Sequence, residues 1–204
     1  EPYVSEDDIV KESKQIYQMT GIIPMVLRNT NAEICTLNKK FRDICNPIET
    51  QATSSPVCMD YVNNTWRYEN WRFGVGDSVI NITNKYVEED GETVLQVANG
   101  ELGIVVSAAG GRVAVRFDKV VWFDIMAENS LRPAYALTVN KAQGSEYPVV
   151  IVKASSAWGS KRERFYTAVT RAQQKCIVYE VGNAIDECIQ AKPSHRKTYL
   201  MQRT

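Results

Sequence analysis

The sequence predicts an α/β chain interrupted by an all-β insertion, and three observations carry that prediction. Residues 5–47 alternate helix, strand and helix signals. Residues 66–127 hold short β-branched runs parted by tight-turn residues. From Leu131 onward helix and strand signals alternate again. Alternation of the two periodicities is α/β material, whereas several short strands with turns over about 60 residues describe a small antiparallel barrel. The reading is therefore an α/β domain built from 1–65 and 128–204, with 66–127 inserted into it.

Each element has a local reason. Ser5-Glu6-Asp7-Asp8 reads as a capping box opening a helix through Ile9, Ile16 and Tyr17, which Thr20-Gly21 stops. Ile22–Leu27 follows as a buried strand whose N-terminal half Pro24 makes irregular. After the polar turn Arg28-Asn29-Thr30-Asn31, residues Leu37, Phe41, Ile44 and Cys45 lie on one helix face, and Asn46-Pro47 ends that helix. In the insertion, Ser78–Ile82, Leu102–Ser107, Arg112–Phe117 and Val120–Phe123 are expected strands. Gly74-Val75-Gly76-Asp77, Glu89-Asp90-Gly91, Asn99-Gly100 and Gly110-Gly111 are the turns. Beyond it the pattern predicts a helix over Pro133–Lys141 ending at Gly144, and a strand Val149–Val152. A helix over Lys161–Ala172, a strand Cys176–Val181 and a last helix Asn183–Gln190 complete the chain.

Composition excludes several chemistries. The 204 residues are 44% hydrophobic and 24% charged, ordinary for a globular protein. No apolar run approaches the roughly 18–20 residues that cross a bilayer. The lone histidine, His195, stands in a polar C-terminal stretch, so a histidine-rich metal cage is excluded. Five cysteines (Cys35, Cys45, Cys58, Cys176, Cys188) form no C-x-x-C pair, which favours reduced thiols and a cytoplasmic setting. The sequons at Asn63 and Asn81 are read as chance occurrences. A chain that begins at Glu1 is expected to be a piece of something longer or a processed product.

The formal net charge is zero but unevenly spread. Residues 1–62 hold 6 basic and 9 acidic side chains, 63–127 again 6 and 9, and 128–204 hold 12 and 6. A basic third on a neutral chain points to a phosphate-bearing partner on one surface.

Two segments in that third carry the chemistry. On the helix expected over Lys161–Ala172, Arg164, Thr167 and Arg171 share a face opposite Phe165, Ala168, Val169 and Ala172. A planar guanidinium at its end suits a phosphate oxygen, although a solvated basic face would look the same. In the other segment, Thr138 and Lys141 share a face of the expected helix, and Gln143-Gly144-Ser145-Glu146 follows. That turn offers amide, bare backbone, hydroxyl and carboxylate, a mix able to grip a sugar-phosphate chain. Gly144 as a plain helix C-cap is the structural alternative.

Ala134–Glu146 resembles motif V of superfamily-one helicases, and Phe165–Ala172 resembles motif VI. The Gly-Ser-Glu ending is similar to that of the RecD-like branch, the exodeoxyribonuclease V alpha-subunit type that moves 5′ to 3′. The resemblance implies a RecA-like second motor domain of the P-loop-NTPase type, lacking the P-loop itself. Its insert would be an SH3-like barrel, whose opening Arg72–Val79 and second strand Asn99–Gly103 resemble. It further implies Arg171 as the catalytic γ-phosphate sensor, with Gly144 and Glu146 beside the nucleotide sugar. Thr138, Asn140, Lys141 and Gln143 would contact single-stranded DNA, and Arg28 resembles the motif IV region and would join them.

Two departures qualify the likeness. Asn140 stands where the family has histidine, and no G-x-x-x-x-G-K-[ST] occurs; Trp158-Gly159-Ser160-Lys161 is only an echo. ATP and Mg²⁺ would thus be held in the complete enzyme, mainly by an N-terminal RecA-like domain carrying Walker A and B, and none by this chain alone. Two other readings remain open: a non-catalytic nucleic-acid- or partner-binding module, and a fragment of a viral superfamily-one RNA helicase. Among the aromatics, Trp66, Tyr68, Trp71 and Phe73 are expected at the seam between insert and α/β domain, Trp122 and Phe123 in the core.

Overall fold

The computed structural model describes residues 5–47, 52–62, 65–155 and 162–191, with the backbone alone over 55–70. Helix α1 (Glu6–Thr20) opens on the expected capping box: the Ser5 hydroxyl accepts from the Asp8 amide while the Asp8 carboxylate accepts from the Ser5 amide. Gly21, at φ 71°, ends it. Strand β1 is shorter than Ile22–Leu27 and shifted, running Met25–Arg28, because Pro24 cannot donate to a ladder. A second box, Thr30 with Glu33, caps α2 (Asn31–Cys45).

β1 lies inside a four-stranded parallel sheet of order β11-β1-β12-β13, with β11 Ala136–Thr138, β12 Tyr147–Ala154 and β13 Ala172–Glu180. Both faces are covered, so its central strands read as continuous apolar runs rather than alternating ones. Val26 and Ile151 pack under α1 and α2 with Ile9, Leu37 and Phe41. Met25, Leu27, Val150 and Val152 face the other way, toward Ala168 of α4 (Arg162–Val169) and Cys188 of α5 (Ala184–Gln190).

The helix expected over Pro133–Lys141 does not form. Ala134 through Val139 are all buried, and a one-sided amphipathic helix cannot bury six consecutive residues. The chain instead completes β10 (Leu131–Pro133), adds β11 to the edge of the parallel sheet, and turns through 139–146. The last helix forms much as expected. α4 ends at Val169 rather than Ala172, because β13 begins at Ala172; Lys161, the Trp158–Lys161 echo, Asn63 and His195 lie outside the described residues.

Between the two α/β halves the chain is β-rich. Strands β4 (Ser78–Asn81), β7 (Leu102–Ala109), β8 (Arg112–Arg116) and β9 (Val120–Asp124) match the expected runs within two residues. With β10 they form one antiparallel sheet of order β10-β4-β7-β8-β9. Gly103 allows that packing: a Cβ there would lie 2.5 Å from Val115 Cγ1 and 2.9 Å from the Phe117 ring. Two hairpins fall outside the expected strands, β2 (Thr53–Val62) with β3 (Thr65–Phe73), and β5 (Lys85–Glu89) with β6 (Glu92–Val97), although Glu89-Asp90-Gly91 marks the turn of the second. Phe123 is core as expected, but Trp122 is exposed, since side chains alternate along β9 and only one set faces the Val113–Val115 layer. Trp71 and Phe73 join that core; the side chains of Trp66 and Tyr68 lie outside the described residues.

A buried carboxylate holds the two parts together. Asp77, just before β4, pairs with Arg42 of α2, and both side chains are almost fully buried. Its oxygens also accept from Asn46 Nδ2 (2.6 Å), the Gly74 amide (2.9 Å) and the Tyr135 hydroxyl (2.9 Å). Burial pushes the Tyr135 hydroxyl up to about 12, so it stays protonated and donates. Arg42 also lies 5.8 Å from the Trp71 ring centroid, where the seam reading had put that indole. Asp77→Ala should lower the unfolding free energy by about 3–5 kcal/mol, the loss typical of stranding one partner of a buried pair. Urea denaturation checks this; a loss below about 1 kcal/mol would show the pair to be dispensable.

Candidate nucleotide and nucleic-acid interface

The segment 139–146 is a crossover between two parallel strands. β11 ends at Thr138, level with Arg28 at the C-terminal end of β1. β12 begins at Tyr147, five positions before Val152, which pairs with Leu27. At about 3.3 Å per residue the connection therefore descends nearly the height of the sheet. Helical turns carry it, with Ala142 N donating to Thr138 O (3.1 Å) and Ser145 N to Ala142 O (3.2 Å). Gly144, at φ 86°, lets the chain reverse before β12.

Arg171 meets the lower end of this crossover. Its Nη1 donates to the Ser145 carbonyl (3.1 Å) and its Nε to the Thr167 carbonyl (3.2 Å). Nη2 makes only a long contact to Thr170 Oγ1 (3.4 Å). The Arg171 carbonyl accepts from Tyr147 N (2.8 Å), so backbone and side chain both lock the turn after α4 to the start of β12. Beside it Gln173 Nε2 donates to Glu146 Oε2 at 3.3 Å. Gly144, Glu146 and Arg171 thus converge at one end of the sheet, with Glu146 exposed and Arg171 half-buried.

The residues expected to meet a strand divide differently. Thr138 is buried and its hydroxyl accepts from the Lys141 amide (3.3 Å), so it shapes the turn. Asn140, Lys141 and Gln143 are exposed along the crossover. Desolvation, and then the nearby Arg132 guanidinium, hold the Lys141 ammonium below its ordinary value. Arg28 does not join them. Its side chain is fully buried, donating to Glu6 Oε2 and the Leu27 carbonyl, both at 3.0 Å, because a guanidinium in the middle of a covered sheet needs a carboxylate more than it can reach solvent.

Several contacts escaped the sequence reading, which named Arg164, Ser145 and Glu6 in other roles and did not name Gln173. Arg164 holds the residue after β1, its Nη1 donating to Asn29 Oδ1 at 2.5 Å. Since α4 runs back along the sheet, Arg164 near its start and Arg171 just past its end serve the sheet's two opposite ends. Gln173 and Ser145 act through a neutral amide and a backbone oxygen respectively, which carry no charge pattern to notice. Glu6 gathers Arg28 and Lys153 (3.1 Å) from positions far apart in sequence. Among the described residues no group of three or more His, Cys, Asp or Glu could hold a metal ion. No helix there is long and apolar enough to cross a membrane.

The chain is similar to several known proteins. A family model described as the UvrD-like helicase C-terminal domain matches residues 133–179, the crossover through β13. The chain is 34% identical over 131 residues to the ATP-dependent RecD2 DNA helicase of Deinococcus radiodurans, covering 63% of this chain and 17% of that protein. It is 33% identical over 115 residues to a probable conjugal transfer protein TraA of Sinorhizobium fredii, covering 54% and 10%. Its fold matches the Pif1 helicase of Candida albicans with a TM-score of 0.56 at 18% identity, over 94% of this chain and 52% of that one. A Bacteroides Pif1 in complex with ADP-AlF3 and ssDNA gives 0.55 at 16% identity, over 92% and 50%. Residues 133–179 are thus similar to the UvrD-like helicase C-terminal domain, and a longer part of the chain is similar to a RecD2 DNA helicase. It spans less than a fifth of the length of these curated relatives and about half of these helicase structures.

The Glu6 cluster has a pH signature. Burial raises the Glu6 carboxyl, but Arg28 and Lys153 outweigh it and hold the group below its ordinary value of 4.5. A depressed folded value adds stability that is present above the unfolded value and lost as pH falls through the folded one. The unfolding free energy lost in Glu6→Gln should therefore be largest at neutral pH and shrink below about pH 4.5. A loss independent of pH would mean that the carboxylate charge does not matter.

Proposed function

We propose that this chain is the second motor half of an ATP-dependent helicase that moves 5′ to 3′ on single-stranded DNA. In this reading residues 1–65 and 128–204 form a RecA-like domain and 66–127 an inserted SH3-like barrel. The nucleotide's phosphates and Mg²⁺ are held mainly by a Walker A- and B-bearing domain outside this chain. One observation carries it: the residues assigned to nucleotide converge at the lower end of the crossover, while Lys141 and Asn140 stand exposed above them on the same short segment. The printed names of the relatives, an ATP-dependent DNA helicase and a Pif1 held with ADP-AlF3 and ssDNA, support the same ligands. A cytoplasmic setting suits the described cysteines Cys35, Cys45, Cys176 and Cys188, all free thiols.

The chain's own residues would then act as follows. Arg171, whose Nη2 is the least committed of its nitrogens, turns toward developing phosphate charge when the two motor halves close. Gly144 offers backbone without a side chain and Glu146 a carboxylate for a ribose hydroxyl. Because Arg171 Nη1 holds the Ser145 carbonyl, its movement pulls on the crossover that bears Gln143, Lys141 and Asn140. Arg28 takes no part in strand contact and keeps β1 in place through Glu6.

The isolated chain should show no ATPase activity, and in the complete enzyme Arg171→Lys should cut hydrolysis steeply while sparing strand binding. A guanidinium fork on developing phosphate charge is worth about 10³–10⁵ in rate, and an ammonium does not reproduce its geometry. Steady-state ATPase assays decide; full activity in the lysine variant would remove Arg171 from the site.

Lys141 is tested by salt. Lys141→Ala should reduce the slope of log affinity against log salt for a thymidine oligomer by roughly 0.7, the single-strand value for one neutralised phosphate. Gln143→Ala should leave the slope unchanged, since an amide releases no counterion, yet weaken the stimulation of ATPase by DNA. Equal slopes for Lys141→Ala and wild type would mean that the crossover only caps β11. Running the titration on RNA as well separates the DNA reading from the RNA-helicase alternative.

A further inference from the structure

The β5–β6 hairpin stands apart from the site described above. Asp90 and Gly91, at φ 52° and 82°, form its tight turn. Its base is anchored: Asn81 Nδ2 donates to the Ala98 carbonyl (3.0 Å), and the Asn99 amide donates to Asn84 Oδ1 (2.7 Å). Beyond the base every residue of β6 from Glu92 to Gln96 is exposed. A two-stranded hairpin exposed in this way is marginally stable alone, yet this one shows apolar side chains to solvent. Tyr86 is 55% exposed, Val94 39% and Leu95 48%. Val120, on β9 across from them, is 53% exposed.

These residues are not scattered. Val94, Leu95 and Val120 line one groove of about 360 Å³ between the hairpin and the β8–β9 turn. The lining is mixed, aliphatic along Val94, Leu95 and Val120 and polar around them, and apolar side chains rimmed by polar ones suit a partner segment. Charge selects the occupant. Glu89, Glu101 and Asp118 line the groove against Lys119, and Glu88, Asp90 and Glu92 crowd the hairpin tip beside it. A phosphate backbone would be repelled here, whereas a segment carrying both aliphatic and cationic side chains would satisfy floor and rim together.

We infer that this groove docks a protein partner through an extended segment in which lysine or arginine alternates with aliphatic residues. The surface would thus recruit protein rather than nucleic acid. It does not rest on the helicase reading, because no residue of the crossover or of Arg171's surroundings takes part.

The test uses the 204-residue chain and a short synthetic peptide alternating lysine with valine, followed by methyl-resolved NMR. Control peptides replace its lysines by glutamate or its valines by serine, and a thymidine oligomer is the nucleic-acid control. The alternating peptide should shift the methyl signals of Val94, Leu95 and Val120 and leave those of Val113 and Val150 unmoved. Each control peptide should bind at least about tenfold more weakly, a difference of roughly 1.4 kcal/mol. Leu95→Lys, at an exposed position, should abolish the shifts while the core methyl spectrum stays intact. A chain ending at residue 191 should bind the peptide unchanged. The inference is overturned if the peptide leaves these methyls unmoved, if a control peptide matches it, or if the oligomer shifts the same signals. It is equally overturned if sedimentation shows a Leu95-dependent dimer, or if removal of residues 192–204 is needed for binding, since the groove would then be filled by this chain itself.

Discussion

The buried Asp77–Arg42 pair is the interaction on which the rest of this structure depends. A buried ion pair is weak evidence for stability, because two charges give up their water to make it. Its value here lies in direction. Asp77 collects donors from three places: α2, through Arg42 and Asn46; its own turn, through Gly74; and the approach to β11, through Tyr135. Next to it the Ser78 carbonyl accepts from the Ala134 amide (2.9 Å), and the Ser78 hydroxyl donates to the Ala134 carbonyl (3.1 Å). An apolar contact could slide along the seam; a carboxylate with four directed partners cannot. The antiparallel sheet is therefore fixed against the parallel one at the point where the chain re-enters it.

That fixation matters because the re-entering chain is the one that becomes the crossover. Asn38 of α2 holds the same stretch from the other side, its side-chain oxygen accepting from the amides of Tyr135 and Ala136, each at 2.9 Å. β11 is only three residues long and lies at a sheet edge, too little to hold itself. With Val139 N donating to the Arg28 carbonyl (3.0 Å) above and Ser145 held by Arg171 below, 139–146 is a short strut held at both ends. A clamped strut passes displacement from one end to the other instead of absorbing it. This is the physical content of coupling between a nucleotide end and a strand end on the proposed reading.

How much was legible in the sequence follows from the range of the forces involved. Local rules read well: the Ser5 capping box, the stop at Gly21, the break at Pro24 and the strands of the antiparallel sheet depend on neighbours within four residues. The Ala134–Val139 stretch misled because its apolar spacing fits a helix, while its burial on every side, decided by β1, β10 and α2, demands strand and turn. Arg28 misled for a related reason. A basic residue ending a strand looks free until Glu6, 22 positions earlier, is seen to claim it. Asp77 looked like part of a Gly-rich turn, and nothing nearby announced Arg42 or Tyr135. Arg171 was singled out on its residue type and its place near a helix end, which are themselves local.

Arg164 and Arg171 show what the sequence reading captured and what it lacked. Seven residues apart on one side of α4, they looked like a single basic face awaiting one anion. Because the helix runs antiparallel to the strands it covers, that face spans the height of the sheet. Arg164 is spent on Asn29 at the end of β1, and Arg171 alone remains at the end where Gly144 and Glu146 gather. The same two guanidiniums thus tie α4 to β1 above and to the crossover below. A motion of α4 along its axis would have to strain both ties at once.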